Sequence, residues 1–532
     1  MKREEYARFE RTIAWMESRA RALGLDFFDM RYEICPADVV YTIAGFGMPT
    51  RYSHWSFGKQ YHRQKLDYDL GLSRIYELVV NNDPCYAFFL ETNTVLQNEM
   101  IVAHVLGHSD FFKNNARFRH TNRNMMDVMA ATAERFRRYE EKYGVARVEE
   151  IIDAAMSIQE HVDPSMRARR DAPPVTEVWP ERRRGPYDDL WALGSGDPRG
   201  TGAAPAPAGT PGTAGGSAPG AAVGGGAPGA VVGGGATSGI GGGSVAGGPG
   251  PSGGPGGFGV AGGWTGAGGP NRAAAGGTDG WTPPGGPGPD DRRLREKDVL
   301  RFILEHSRHL EDWERDIVAV VREEMLYFWP QLETKIMNEG WATYWHTALM
   351  REMDLSGQDA IDFAQLTASV TQPNRFSLNP YNVGLAIWRD IERRFGRERM
   401  FEVRECESDT GFLRNYLTQD IVDECQLYLF ERRGLEWVIV ERDVEKIRAL
   451  LVQQRTNGGF PVLHVTDGDV GRAGGLLLEH AYDGVELDVR YIERTLPRVH
   501  RLWGRPVTLK TVIDGRPAEF RCEGGQVLRR VV

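Results

Sequence analysis

The sequence predicts an α+β protein: a large, mainly helical body interrupted by a Gly-rich insert, followed by a small ferredoxin-like α+β domain. Three observations carry this expectation. Apolar residues recur at helical spacing through much of residues 1–194 and 291–433. Residues 195–290 are dominated by Gly, Pro and Ala. From residue 434 onward the rhythm changes to short β-branched runs alternating with two helical stretches. The 532 residues leave room for several domains, and a 41% hydrophobic share supplies ample core.

In order, residues 2–23 carry Tyr6, Phe9, Ile13, Met16 and Leu23 on one stripe among many charges, an amphipathic opening helix. The next stretch, DFFDMRYEICPADVVYTIAGFGMPTRYSHWSFGKQYHRQ, is dense in aromatics and broken into short elements by Pro36, Gly45, Gly47 and Pro49. His54 and His62 stand there with Arg51, Tyr52, Trp55 and Tyr61. Such a mixture forms either a substrate wall or an aromatic core, and the amphipathic rings favour the core. Helical pattern returns over residues 72–80, stops at NNDP, and resumes through ETNTVLQNEMIVAHVLGHSDFFKNN. NMMDVMAATAERFRRYEEKYG reads as a helix capped by Gly144, with a solvated charged face from Glu134 to Lys142. Residues 147–163 give one more helix, stopped by Pro164.

The segment 195–290 cannot bury enough apolar surface to offset its ordering entropy, so a disordered linker is expected. It lacks both the collagen period and the Lys-Ser/Thr of a phosphate loop. Because closure cost rises only with the logarithm of loop length, the flanking parts 1–194 and 291–433 can form one helical domain. After Asp291, the chain reads as helical up to Pro330. QLETKIMNEGWATYWHTALMREM, SLNPYNVGLAIWRDIERRFG and TGFLRNYLTQDIVDECQLYLFE continue the helical body. Residues 434–532 then read βαββαββ, a ferredoxin-like order with one extra strand and nothing catalytic in it.

A net charge of -9 argues against a general nucleic-acid binder. The charged start MKREEYARFE has no signal-peptide core, and no apolar run reaches the roughly 18 residues of a membrane span. Five scattered cysteines without a Cys-x-x-Cys pair suggest a reducing cytoplasm.

His104 and His108 are one helical turn apart, so both imidazoles leave the same face and can share a transition metal. The alternative is a pair of hydrogen-bonding core histidines. In the His-Glu-x-x-His pattern the glutamate is the general base, and here Val105 holds that position. Glu99 cannot replace it, because five residues at roughly 100° each carry it off the histidine face. On the helix EGWATYWH, Glu339, Thr343 and His346 share a face beside Trp341, Tyr344 and Trp345, offering the third and fourth ligands. A ferritin-like site needs Glu-x-x-His on two helices, a spacing the chain lacks. His306 and His309 read as solvent-facing.

Taken together, FFDMRYEICPADVVYTIAGFGMPTRYSHWSFGKQY, ETNTVLQNEMIVAHVLGHSDFFKNN, KIMNEGWATYWH and NPYNVGLAIWRDIE resemble the SpoVR family, the stage V sporulation protein R family. The likeness implies a cytoplasmic bacterial protein needed by spore-formers for assembly of the spore cortex, with a wider role in bacteria that make no spores. It also implies a pathway shared with a serine protein kinase and a von Willebrand factor A-like protein. The Gly-rich insert departs from the family pattern. HVLGH with the later EGWATYWH is similar, too, to the metal-binding segments of certain zinc-dependent peptidases. That likeness maps zinc ligands onto His104, His108 and Glu339, with Val105 where the base stands. Two functions are expected on these grounds. One is a metal-dependent hydrolase or amidase that uses a divalent transition metal such as zinc, with Glu324 and His346 as acid/base groups. The other is a non-catalytic factor that binds partner proteins such as the kinase.

Overall fold

In the computed structural model, residues 3–71, 73–165, 295–374, 377–433 and 436–531 are described. All fall in one compact unit, Met1–Met166 with Gly229–Val532. The linker expected over 195–290 lies outside the described residues.

Helix α1 (Arg3–Ala22) buries Phe9 and Met16 of the expected stripe, together with Ala20, half-buries Ile13 and leaves Tyr6 exposed. Strand β1 (Met30–Cys35), α2 (Ala37–Phe46) and α3 (Trp55–Asp69) follow. Strands β2 (Glu77–Val80) and β3 (Cys85–Leu90) complete a sheet of order β1-β3-β2, in which β1 is parallel and β2 antiparallel to β3. The helical pattern expected over 72–80 is therefore corrected, since its apolar run ELVV is a strand. So short a run does not distinguish the two periods. Pairing with the mostly buried CYAFFL decides the matter.

Helix α4 (Val95–Asn114) begins at a capping box in which Gln97 N–H donates to Thr94 Oγ1 and Thr94 N–H donates to Gln97 Oε1. Nearly every residue from Ile101 to Phe112 is buried, so α4 is a central helix with no solvated face there. Helices α5 (Met125–Tyr143) and α6 (Val145–Met156) close the first half.

In the second half, α7 (Val299–His306) and α8 (Asp312–Glu333) replace the continuous helix expected up to Pro330. The break lets Ser307 Oγ–H donate to Leu502 O, and Glu311 restarts the helix with Glu314 in a capping box. Helices α9 (Lys335–Arg351), α10 (Gly357–Val370), α11 (Pro380–Phe395), α12 (Arg397–Cys406), α13 (Asp409–Tyr416) and α14 (Gln419–Glu424) follow. Like α4, α9 is buried almost all round. Glycines set how closely it is approached. A Cβ on Gly107 of α4 would stand 2.7 Å from Ala342 Cα, and one on Gly340 would stand 2.3 Å from the Gly384 carbonyl carbon of α11. The two halves of the helical body thus meet along α4 and α9.

Strands β4 (Leu429–Arg433) and β5 (Glu436–Glu441) pair with each other. After α15 (Val444–Arg455) come β6 (Leu463–Val470), β7 (Gly475–His480), α16 (Val489–Trp503), β8 (Val507–Ile513), β9 (Arg516–Glu523) and β10 (Gln526–Val531). These strands form one sheet of order β10-β9-β8-β7-β6, parallel only between β7 and β8, which α16 joins as a crossover. Every element expected beyond 434 is present and the α+β class holds. EWVIVE, however, pairs in its own hairpin outside the larger sheet, and β10 extends that sheet beyond the expected order. One apolar core joins α1, the first sheet, α4 and α9 to α15. A second joins α5 to α8 with the larger sheet and α16.

Candidate metal centre

The α4 turn projects His104 and His108 toward α9, where Glu339 faces them. His104 Nε2 lies 3.0 Å from His108 Nε2, and Glu339 Oε2 lies 3.8 Å from the first and 3.5 Å from the second. Bonds of about 2.05 Å in a tetrahedral site put donor atoms about 3.3 Å apart, so these separations fit a transition metal at the centre. The trio is buried and can hold a metal ion.

The outer nitrogens support the same reading. His108 Nδ1 stands 2.9 Å from Asn338 Oδ1, an acceptor, so Nδ1 carries the proton and Nε2 presents its lone pair. His104 Nδ1 stands 3.1 Å from His346 Nδ1. If His104 Nδ1–H donates there, two Nε2 lone pairs and a carboxylate oxygen converge on one point, and only a cation or a proton satisfies all three. Glu339 Oε2, though buried, has no hydrogen-bond partner. Fixing a ligating imidazole by its second nitrogen is the usual arrangement around protein-bound metals.

The electrostatics are those of a desolvated cluster. Burial, followed by the charge of His104, pushes the His108 imidazole down to about 4. Burial would raise the Glu339 carboxyl, but the facing His104, with His108 and Lys335 nearby, holds it below the usual carboxylate range. Burial also raises the Glu77 carboxyl and lowers the Lys335 ammonium. Both line a cavity of about 30 Å³ beside His108, Asn338, Glu339 and Tyr381, which is the open side of the site.

Of the sequence-predicted residues, His104, His108, Glu339 and His346 come together. His346 meets the far nitrogen of His104 and does not join the three converging donors. Glu324 stands in the second core, where Arg51 Nε and Nη2 donate to its two oxygens at 2.8 and 2.6 Å and Tyr52 Oη–H donates at 3.1 Å. Glu99 faces α1 and accepts from Arg8 and Thr12. Sequence reasoning missed Asn338, Gly107, Glu77, Lys335 and Tyr381. The glycine between the two histidines was the readable signal, because an interior helical Gly marks close packing.

The family described as SpoVR like protein matches residues 3–205 and 291–460, and the SpoVR-like C-terminal domain matches residues 461–514. The chain belongs to the SpoVR family. This SpoVR chain is 24% identical over 397 residues to "Uncharacterized protein YcgB" of Escherichia coli (strain K12), a match covering 72% of the chain and 62% of that relative. No solved structure matches. Among the described residues no helix is long and apolar enough to cross a membrane.

Proposed function

We propose that this SpoVR-family protein binds a divalent transition metal, zinc by its nitrogen and oxygen donors, through His104, His108 and Glu339, and acts as a metal-dependent hydrolase or amidase. The observation carrying this reading is the buried convergence of three donors at tetrahedral separations, with Glu339 Oε2 otherwise unpartnered. The bound metal would polarise a substrate carbonyl and acidify water. The chain supplies the rest. His346 and Asn338 hold the two imidazoles, acting through them and not on substrate. Val105 offers no base, so the proton carrier is Glu77 across the small cavity, with Lys335 and Tyr381 beside it to hold developing negative charge. Glu324, locked to Arg51, takes no part. Following the family resemblance, we assign this activity to spore-cortex formation in the cytoplasm.

Metal analysis of the purified full chain tests the proposal. We expect about one equivalent of transition metal in the wild type and almost none in His104→Ala/His108→Ala, the stoichiometry of a single three-ligand site. A wild-type preparation far below one equivalent and unresponsive to added zinc, manganese or iron refutes it.

A second reading is favoured by the cavity, whose volume of about 30 Å³ admits little more than water. In that reading the metal staples α4 to α9, and the protein works by binding partners such as a serine protein kinase and a von Willebrand factor A-like protein. It requires His104→Ala/His108→Ala to lose stability while keeping partner binding. A Glu77→Gln variant that keeps its metal and its stability but loses function in cells decides for catalysis.

A further inference from the structure

A second cleft, about 1260 Å³, opens between α3, α6, α15 and α16. None of His104, His108 and Glu339 lines it, so the cleft is independent of the metal site. On its wall stand Ser56, His54 and Asp153. His54 precedes α3, and its Nδ1 accepts from the Ser56 N–H at 3.4 Å and lies 2.7 Å from Ser56 Oγ. With Nδ1 an acceptor, the ring proton is on Nε2, which points toward Asp153 Oδ1 at 3.3 Å without forming an aligned hydrogen bond. Asp153 is itself held, accepting from Trp55 Nε1–H at 3.0 Å, while Arg498 Nη1–H donates to its backbone carbonyl at 3.2 Å.

Helix capping alone accounts poorly for this group. Ser, Thr, Asp or Asn caps a helix better than His. Capping also leaves a buried Nε2 with no hydrogen-bond partner, and it does not call for a carboxylate opposite that atom. The arrangement is instead the one in which a hydroxyl meets a base and the base meets an orienting carboxylate, a constellation recognised by roles and geometry and not by sequence position. Burial, outweighing the pull of Asp153 and aided by the Arg51 and Arg498 charges, holds the His54 imidazole below its usual value, so it is neutral and able to take a proton at pH 7.

We propose that Ser56 is a nucleophile, His54 its general base and Asp153 the residue positioning that base, and that the cleft takes substrates with an ester or amide carbonyl. Ser56 Oγ bonds to the carbonyl carbon as its proton passes to His54 Nδ1. The bond to the alcohol or amine then breaks, and that leaving group takes the proton from His54. Water from the open cleft attacks the acyl-serine, giving His54 a proton that returns to Ser56 Oγ as the carboxylic acid leaves. Arg498 flanks the site with positive charge.

The test is covalent labelling of the full-length wild-type protein with a fluorophosphonate, which forms an Oγ–P bond and expels fluoride. We expect labelling mapped by mass spectrometry to Ser56, absent in Ser56→Ala, and slowed by about 100-fold or more in His54→Gln, the usual worth of a general base. Asp153→Asn is expected to slow labelling and to move the pH at which its rate rises downward, because the carboxylate supports protonation of His54. A wild-type protein that is unlabelled, or labelled at another residue, overturns the proposal without recourse to any variant. A Ser56 label with an unchanged rate in His54→Gln overturns the assigned base.

Discussion

Gly107→Ala tests how the metal site is held together. The added Cβ would lie 2.7 Å from Ala342 Cα and 3.3 Å from Ala342 Cβ. An ordinary carbon contact of about 3.5 Å requires the two helices to part there by about 0.8 Å. The obstacle is backbone, so no rotamer relieves it. Locally, alanine in a helix is worth about 1 kcal/mol over glycine, while overpacking a filled core costs about 1–3 kcal/mol. The net change in stability is therefore small, from about none to about 2 kcal/mol of destabilisation. Metal binding is far less tolerant, because bond lengths hold to about 0.2 Å. Moving α4 by several times that distance takes the imidazoles from Glu339, and we expect affinity to fall by about 100-fold or more, at or beyond the effect of losing an outer-shell partner. Competition with a chromophoric zinc chelator measures it, with urea unfolding as the check on folding. Gly357→Ala is the control, since a Cβ there meets nothing within 4 Å. Zinc bound as tightly by folded Gly107→Ala as by the wild type would refute the claim that this contact sets the site.

Replacing His346 with Phe keeps all three donors but removes the partner of His104 Nδ1, so zinc affinity should drop by about 10–100-fold with near-normal stoichiometry at saturating metal; unaltered affinity sinks the tautomer argument. Asp110 accepts from Arg404 Nη1 at 2.7 and 2.8 Å and from Trp341 Nε1 at 2.8 Å, both buried, and from the part-buried Asp26 amide at 2.7 Å. Asp110→Ala strands the Arg404 guanidinium and should cost about 3–5 kcal/mol in urea unfolding, a loss under about 1 kcal/mol showing that the pair is not what fixes α4 to α12. Burial, then the Lys297 and His480 charges, lowers the His161 imidazole to about 4. Its folded value is depressed below the unfolded one near 6.5, so the unfolded chain binds the extra proton between those limits. Its stabilising contribution is nearly complete at pH 7 and is lost as pH falls toward 4, the loss reaching about 2 kcal/mol at pH 5. His161→Gln should lessen the fall in urea midpoint between pH 7 and pH 5, and an identical fall in both proteins contradicts the assignment.

The helical body was legible because its stripes are long. α1, α5 and α11 each carry apolar residues at a spacing that only a helix can gather on one side. The first sheet was not legible, since β2 and β3 are short, apolar and buried, and such runs look alike in either period. The break after His306 was hidden for another reason. It depends on Ser307 reaching the Leu502 carbonyl, a partner 195 positions away. In the site, His104 and His108 could be read from one turn of helix, and Glu339 from the face it shares with His346. Their mutual approach could not, because it depends on glycine contacts between α4, α9 and α11 that no local pattern encodes. Glu324 illustrates the converse. A lone carboxylate on an apolar helix suits an ion pair as well as it suits catalysis, and Arg51, 273 positions away, takes it.

The placement of the metal trio bears on why these residues are polar at all. They occupy the middle of two helices that are buried nearly all round, with Tyr381 and Phe112 stacked on the two imidazoles. Apolar side chains of similar volume at such positions are generally as stabilising as a buried charged group, or more so. A purely structural role would therefore have been met better by leucine or phenylalanine. The outer hydrogen bonds to Asn338 and His346 stabilise one ring orientation each, yet they turn the inner nitrogens toward one another and toward Glu339, an arrangement that is unfavourable while empty. A cation reverses that sign, joining attraction to all three donors with the helix packing already present. It also links His108 to a glutamate in the other half of the body, across an insert whose length adds little to the cost of closure. With the proposed ion bound, conditions that strip it should loosen the α4 to α9 contact first.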